Sequence, residues 1–457
     1  MFWLISCTGG EVAEVPGPPT PPSVLFVVID TLRADHVGAY GHHRATTPAL
    51  DELAAGGVRF ADATIPASWT WPGHASLFTG EPPWVHGAHH AEPTGDFKVT
   101  GKEKSVEGIR PGMKTFAGYF RDAGYSTVAV AGNNLLDPRF GLVRGFEEVL
   151  ASVPDPIVVE RASEVLAEER DAPLLLFVNL MSAHAPYAPS PAPWIDETER
   201  SWWDGGAPDW LLPFVKDHGG QPVLAFTKAS GFGVGHPLLD GTIYDIPPAG
   251  VEFIGEVYDG GVNMADAHLD VLVRRFAAAC PDGIVVVTSD HGEYLGEHEL
   301  LNHHSTVYRP VTWVPLVISW PGHLEPRVVE EPVSAEQIAG TVLALAGIET
   351  PLSSLLESPN QGPIRAQSWV DLYRAGRFGG IFEHGWKLYR EGDRALVLGE
   401  DGSRELYDLR NDPLMVSPVQ GDITELEAAA ASAFESFVGV EVDEGLDEAL
   451  KALGYRE

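Results

Sequence analysis

The chain has 457 residues, 44% of them hydrophobic, enough to bury a large core and to form two or three domains. Lys and Arg total 30 against 65 Asp and Glu, a formal charge of −35 that disfavours nucleic acid and anionic membrane surfaces as partners. The two cysteines, Cys7 and Cys280, exclude a disulfide framework and a cysteine-rich zinc site, so a metal would need Asp, Glu, His and hydroxyl ligands.

No apolar run approaches the roughly 20 residues that cross a bilayer, so no membrane span is expected. Residues 1–22 read as a leader or flexible linker. Leu4-Ile5-Ser6-Cys7 is similar to a bacterial lipoprotein cleavage box, and a Gly/Pro/Glu-containing segment follows it. Two readings stay open: a periplasmic or cell-envelope lipoprotein with a lipid anchor at Cys7, and a soluble protein with a flexible tail.

From Ser23 the pattern becomes regular. VLFVVID is a short continuous apolar run ending in Asp30, the signature of a parallel strand covered on both faces. Similar runs follow at Ser126–Ala131, Leu174–Leu180, Ile284–Ser289 and Val314–Ser319, with helical patterns over Thr47–Gly56, Gly112–Ala123, Val158–Glu169 and Gly255–Ala279 between them. Strands alternating with helices predict an α/β domain over residues 23–362, whose sites lie beyond the carboxyl ends of the strands. Between about 188 and 248 the periodicity fails and Trp194, Trp202, Trp203 and Trp210 cluster, which predicts an ordered aromatic insert acting as a lid or substrate wall. From 363 to 457 β-type runs alternate with turn signals, predicting a small second domain with an antiparallel meander.

The polar clusters fall at the strand ends. Asp30 closes the first strand and Asp290-His291-Gly292 closes IVVVTS, so three potential metal ligands can converge at one sheet edge; a helix cap and an ordinary turn are the plain alternatives. In ASWTWPGHASLFTG, Thr70 stands just before a helix expected from Gly73. A hydroxyl there can meet an anion held by backbone N–H groups, or can simply cap the helix. His184 follows LLLFVNL, and His298, His303 and His304 follow the Asp290-His291 turn. Imidazoles can ligate metal or protonate a leaving oxygen, which fits hydrolysis of an oxyanion ester.

These segments resemble the sulfatase family of the alkaline phosphatase superfamily. The resemblance runs from about Ser23 to Met415 through VVIDTLRADHVGAYG, TTPALDELAAGGVRFADA, WTWPGHASLFTGEPPWVHG, AGNN with PRFGLVRGFEEV, NLMSAHAPYAP, VVVTSDHGEYLGEH, VPLVISWPG, and WKLY with ELYDLRNDP. It implies a sulfatase-like large α/β domain with a central mixed, mostly parallel sheet, a small C-terminal domain with an antiparallel sheet, and one divalent metal ion at the sheet edge. Asp30 and Asp290 match metal-binding aspartates. His291 falls where sulfatases often carry Asn and phosphonate or phosphate esterases carry His. Thr31 stands where many sulfatases have a second Asp, a weakened ligand position, and with Thr70 it completes the candidate metal set. His184 matches the substrate-facing histidine of an HxPY loop, and His303 or His304 matches a group that contacts the transferred oxyanion.

The main departure lies at the nucleophile. The family's CxPxR or SxPxR stretch, whose first residue is oxidised to formylglycine, reads Thr70-Trp71-Pro72-Gly73-His74 here. Threonine carries a β-methyl group and cannot become that aldehyde, and His74 replaces the bracing Arg. The expected function is a metal-dependent sulfatase-like hydrolase cleaving a sulfate or phosphate ester through a Thr70 alkoxide, with calcium or manganese/zinc as the ion. The alternatives are a phosphodiesterase or phosphotransferase of the same superfamily, and an inactive sulfatase-like binding protein. The expected partner is a small-molecule or glycan ester, monoanionic or uncharged given the acidic surface.

Overall fold

The computed structural model describes residues 2–4, 13–15, 21–89, 106–190, 192–218, 221–224, 246–303, 306–356, 362–371, 375 and 380–434. Cys7, His304, residues 225–245 of the insert and residues 435–457 lie outside them. Among the described residues no helix is long and apolar enough to cross a membrane.

One sheet organises the chain. Its strands are β1 (Val24–Ile29), β2 (Val58–Thr64), β3 (Ser126–Ala131), β4 (Glu148–Leu150), β5 (Leu174–Leu180), β6 (Ile284–Thr288), β7 (Trp313–Ser319), β8 (Arg327–Val329) and β9 (Val333–Ser334). Their spatial order is β8-β2-β7-β6-β1-β5-β3-β4, with β9 also on β2. Every pairing is parallel except those of β7, which runs against both β6 and β2. The mixed, mostly parallel sheet that the family resemblance implied is therefore present.

The central strands are buried on both faces because each face carries its own helical layer. Val24, Phe26 and Val28 point into one core with Trp71, Ala75, Leu77 and Phe78 of α2 (Thr70–Thr79). That core also takes Phe116 and Phe120 of α3 (Phe116–Asp122). Leu25, Val27 and Ile29 point the other way, toward α1 (Pro48–Gly56), α4 (Asp155–Ala167) and the 32-residue α5 (Pro248–Ala279). Period-two alternation feeding two layers is what makes these strands read as unbroken apolar runs. By contrast β2, VRFADAT, alternates buried and half-buried residues, and β4, β8 and β9 are too short to show a run; none was expected as a strand.

Four helix starts also differ from expectation, with α3 at Phe116 rather than Gly112 and α4 at Asp155 rather than Val158. α2 starts at Thr70 rather than Gly73, placing Thr70 in its first turn, and α5 starts at Pro248 rather than Gly255. The insert's described indoles pack on α5: Trp202 and Trp210 sit edge-on to Phe253 at 4.5 and 6.4 Å, and Trp194 Nε1 donates to the Glu256 carbonyl.

The C-terminal meander is an antiparallel sheet of β10 (Ile364–Ser368), β11 (Trp386–Glu391), β12 (Arg394–Gly399) and β13 (Arg404–Asp408). One face packs Leu388, Val397 and Tyr407 against Tyr294, Val307, Tyr308 and Val311 of the large domain. The other packs Tyr389, Leu396 and Leu406 against Leu426 and Ala430 of α6 (Thr424–Ala431). A partly buried triad links the two domains: Asp62 on β2 accepts from Arg309 at 2.7 Å and, across the boundary, from Arg390 on β11 at 2.6 Å.

Candidate active site

The site lies at the carboxyl edge of the sheet, where β1 and β6 end side by side. The parallel register pairs Val24 with Ile284 and Val28 with Thr288, a constant offset (284 − 24 = 260) that brings Asp30 and Asp290 level just past the strand ends. Asp30, Asp290 and His291 are completely buried and form one cluster of potential ligand atoms. Nε2 of His291 lies 3.6 Å from Asp30 Oδ1 and 3.5 Å from Asp290 Oδ2.

The hydrogen bonds show what this cluster can hold. His291 Nδ1 is 2.8 Å from the Gly292 carbonyl, which accepts a hydrogen bond from Nδ1–H and leaves the Nε2 lone pair facing the two carboxylates. Asp30 Oδ1 and Asp290 Oδ1 accept no hydrogen bond among the described residues, and Asp290 Oδ2 is met only by the His74 imidazole among them, as an ion-pair contact. Two buried carboxylates converging on an imidazole lone pair repel one another unless a cation lies between them, so the donor set fits a divalent ion. Burial and the neighbouring Asp290 push the Asp30 carboxyl up to about 7. For Asp290, burial is outweighed by the His291 and His74 imidazoles, which hold it well below the usual carboxylate range.

Thr70 stands at the amino-terminal turn of α2 with its hydroxyl on this cluster. Its Oγ1 is 3.3 Å from His291 Nε2 and 3.4 Å from Asn133 Nδ2. One turn on, His74 Nδ1 lies 3.0 Å from Asp290 Oδ2 and 3.1 Å from the Thr70 carbonyl. Asp290 thus overcomes the effect of burial and raises the His74 imidazole pKa. Gly73 is what allows α2 so close: a Cβ there would lie 2.2 Å from the Asp290 carbonyl oxygen.

Two histidines extend the site outward. The His303 ring centroid is 4.3 Å from that of His291 and 5.1 Å from that of His184, and both outer histidines are nearly fully buried. Thr31 is placed differently from the other candidates. Its hydroxyl donates to the Asp30 carbonyl at 2.6 Å, and its backbone is left-handed, with φ of 61°.

Four groups that sequence reasoning did not single out belong here. Asn133, just past β3, donates to Asp30 Oδ2 at 2.9 Å, and Asn179 at the end of β5 lies 3.4 Å from the same oxygen. Arg33 reaches from the β1 loop to the Glu293 carbonyl and to Glu297, while Tyr258 of α5 donates to the Thr31 carbonyl. Their signal was position alone, within four residues of a strand end or on a facing helix. A second His-Asp cluster, His36, His42 and Asp259, differs in kind: both Asp259 oxygens already take imidazole hydrogen bonds and Arg44 adds a third at 2.8 Å, a satisfied ion-pair network.

A mostly parallel sheet between helical layers thus carries an Asp-Asp-His cluster and a helix-borne hydroxyl at its carboxyl edge. The sulfatase family profile matches residues 22–348, and the chain belongs to the sulfatase family. It is 26% identical over 446 residues to the uncharacterized sulfatase YidJ of Escherichia coli strain K12, covering 86% of this chain and 82% of that protein. The phosphonate monoester hydrolase of Agrobacterium radiobacter superposes with a TM-score of 0.62 at 20% identity, covering 94% of this chain and 95% of that one. A structure solved in complex with its substrate D-glucosamine-2-N,6-O-disulfate also superposes at 0.62, with 16% identity over 96% of this chain and 99% of that one.

Proposed function

We propose that this sulfatase-family hydrolase cleaves its sulfate or phosphate ester by direct attack of the Thr70 hydroxyl oxygen. The observation that carries this is the position of Thr70 Oγ1, 3.3 Å from His291 Nε2 at the edge of a buried carboxylate cluster in which Asp30 Oδ1 and Asp290 Oδ1 accept no hydrogen bond among the described residues. Asp30, Asp290 and His291 would hold one divalent ion, which supplies positive charge that lowers the pKa of a neighbouring hydroxyl and polarises a bound oxyanion. Asn133 steadies Asp30 and donates toward Thr70. Thr70 loses its proton to solvent and attacks phosphorus or sulfur in line, forming a threonyl ester as the bond to the leaving oxygen breaks. His184, with His303 or His304, binds non-bridging oxygens and returns a proton to that leaving oxygen; water then releases the threonyl ester.

Calcium, manganese and zinc all accept two carboxylates and one imidazole, and elemental analysis of the purified protein chooses among them. A likeness to hydrolases named for a phosphonate monoester and for a disulfated glucosamine supports a small-molecule or glycan ester as substrate. Leu4–Cys7 carries two readings, an envelope lipoprotein and a soluble protein with a flexible tail, and the intact mass of the mature N-terminus decides between them.

The test is hydrolysis of 4-nitrophenyl sulfate, phosphate, methyl phosphate and phenylphosphonate with each metal, beside Thr70→Ala. Turnover that Thr70→Ala reduces by about three orders of magnitude or more supports the alkoxide mechanism. Turnover unaffected by that substitution refutes it, transfer to added alcohols in preference to water identifies a phosphotransferase, and no turnover with any metal favours a binding protein.

A further inference from the structure

Glu293 lies two residues beyond His291, has no exposed surface, and is not among the clustered candidate metal ligands. Oε1 is 2.9 Å from His303 Nδ1, and Oε2 accepts from the Tyr187 hydroxyl at 3.2 Å. Its main chain is anchored on two sides: the N–H donates to the Pro310 carbonyl at 3.0 Å, and the carbonyl accepts from Arg33 Nη1 at 3.0 Å. Tyr187 closes the loop that carries His184, and His303 follows the short hairpin of Tyr294–Leu295 with Leu301–Asn302. One side chain therefore meets both segments that bring imidazoles to the site.

Packing does not require a carboxylate here. An ionised carboxylate removed from water is costly unless both oxygens are bonded, and an apolar side chain would fill the same space at lower cost. What a carboxylate offers is two acceptors at once. With Nδ1–H held by Glu293, Nε2 of His303 lies on the opposite edge of a ring fixed between those of His291 and His184. Glutamine has nearly the same shape but turns an N–H donor toward one of the two partners, so either His303 or Tyr187 loses its acceptor.

We propose that Glu293 is a positioning residue, which locks the His303 imidazole and the His184 loop in place for the transferred oxyanion; this rests on the ester-hydrolase mechanism above. It touches neither substrate nor ion itself.

The test is a double-mutant cycle on the metal-loaded full chain with Glu293→Gln, His303→Ala and the pair, using the best ester of the 4-nitrophenyl panel. Glu293→Gln is expected to lower kcat about 100-fold with bound metal retained. In the His303→Ala background the same substitution should change kcat by less than about threefold, because the residue it positions is already gone. Equal losses in both backgrounds, or wild-type kcat in Glu293→Gln, overturn the proposal. Should Glu293→Gln fail to fold, Tyr187→Phe removes one of the two bonds, and an unchanged kcat in that variant overturns it equally. If the wild-type protein turns over no ester, the hydrolase mechanism fails, and inorganic vanadate affinity decides the role of Glu293. Non-additive losses of affinity across the cycle uphold it, and additive ones refute it.

Discussion

Asp30 and Asp290 stand level on adjacent parallel strands, each just past its strand end, so two carboxylates far apart in sequence share one buried pocket with His291. Their charges oppose each other until a cation arrives. Metal binding should therefore stabilise the fold: about 2.7 kcal/mol at a free metal concentration 100 times Kd. Thermal melts with chelator and with added calcium, manganese or zinc measure this. Asp290→Asn is expected to abolish the metal-dependent rise in Tm, and a metal-independent Tm in the wild-type chain would refute the site.

Asn133 offers a sharper probe of geometry, because its amide donates to Asp30 Oδ2 and reaches toward Thr70 Oγ1 without being a ligand. A hydrogen bond to a charged group contributes about 1.5–3 kcal/mol. Asn133→Ala should lower kcat/KM by about 10- to 100-fold, with thermal stability falling much less than for a core truncation. Unchanged kinetics would remove Asn133 from the site.

Thr31 separates two meanings of a residue beside a ligand. Its hydroxyl is directed to the Asp30 carbonyl and its backbone sits at φ of 61°, where a β-branched residue is strained. Thr31→Gly is expected to relieve about 1 kcal/mol of that strain and to leave metal stoichiometry unchanged. A loss of bound metal in this variant would instead make the hydroxyl a ligand.

Asp62 links the domains through Arg309 and Arg390. Burial alone would raise its carboxyl, but the Arg309 and Arg390 guanidiniums outweigh burial and hold it well below the ordinary value of 3.8. A depressed carboxyl stabilises the fold fully above its unfolded value and progressively less as pH falls below it toward the folded value. Asp62→Asn should thus cost about 3–5 kcal/mol near neutrality, because it leaves buried arginines without their counter-charge. The gap from wild type should narrow as denaturation is followed below about pH 4. A gap that is constant with pH would show that the pair adds nothing electrostatic.

The strands ending in Asp30 and in Asp290-His291 were legible because a strand covered on both faces must be apolar at every position, and the first polar residue then marks its end. Thr70 was legible from its motif, although its place inside the first turn of α2 was not, since the helix begins three residues before the expected Gly73. The order of motifs along the chain determined the family. Tertiary structure alone decided which carboxylate oxygens accept no hydrogen bond, which nitrogen of His291 faces them, and that Asn133, Tyr187 and Glu293 meet the site at all. Those facts depend on register between strands and on contacts between loops remote in sequence, and a one-dimensional pattern records only each residue's own periodicity.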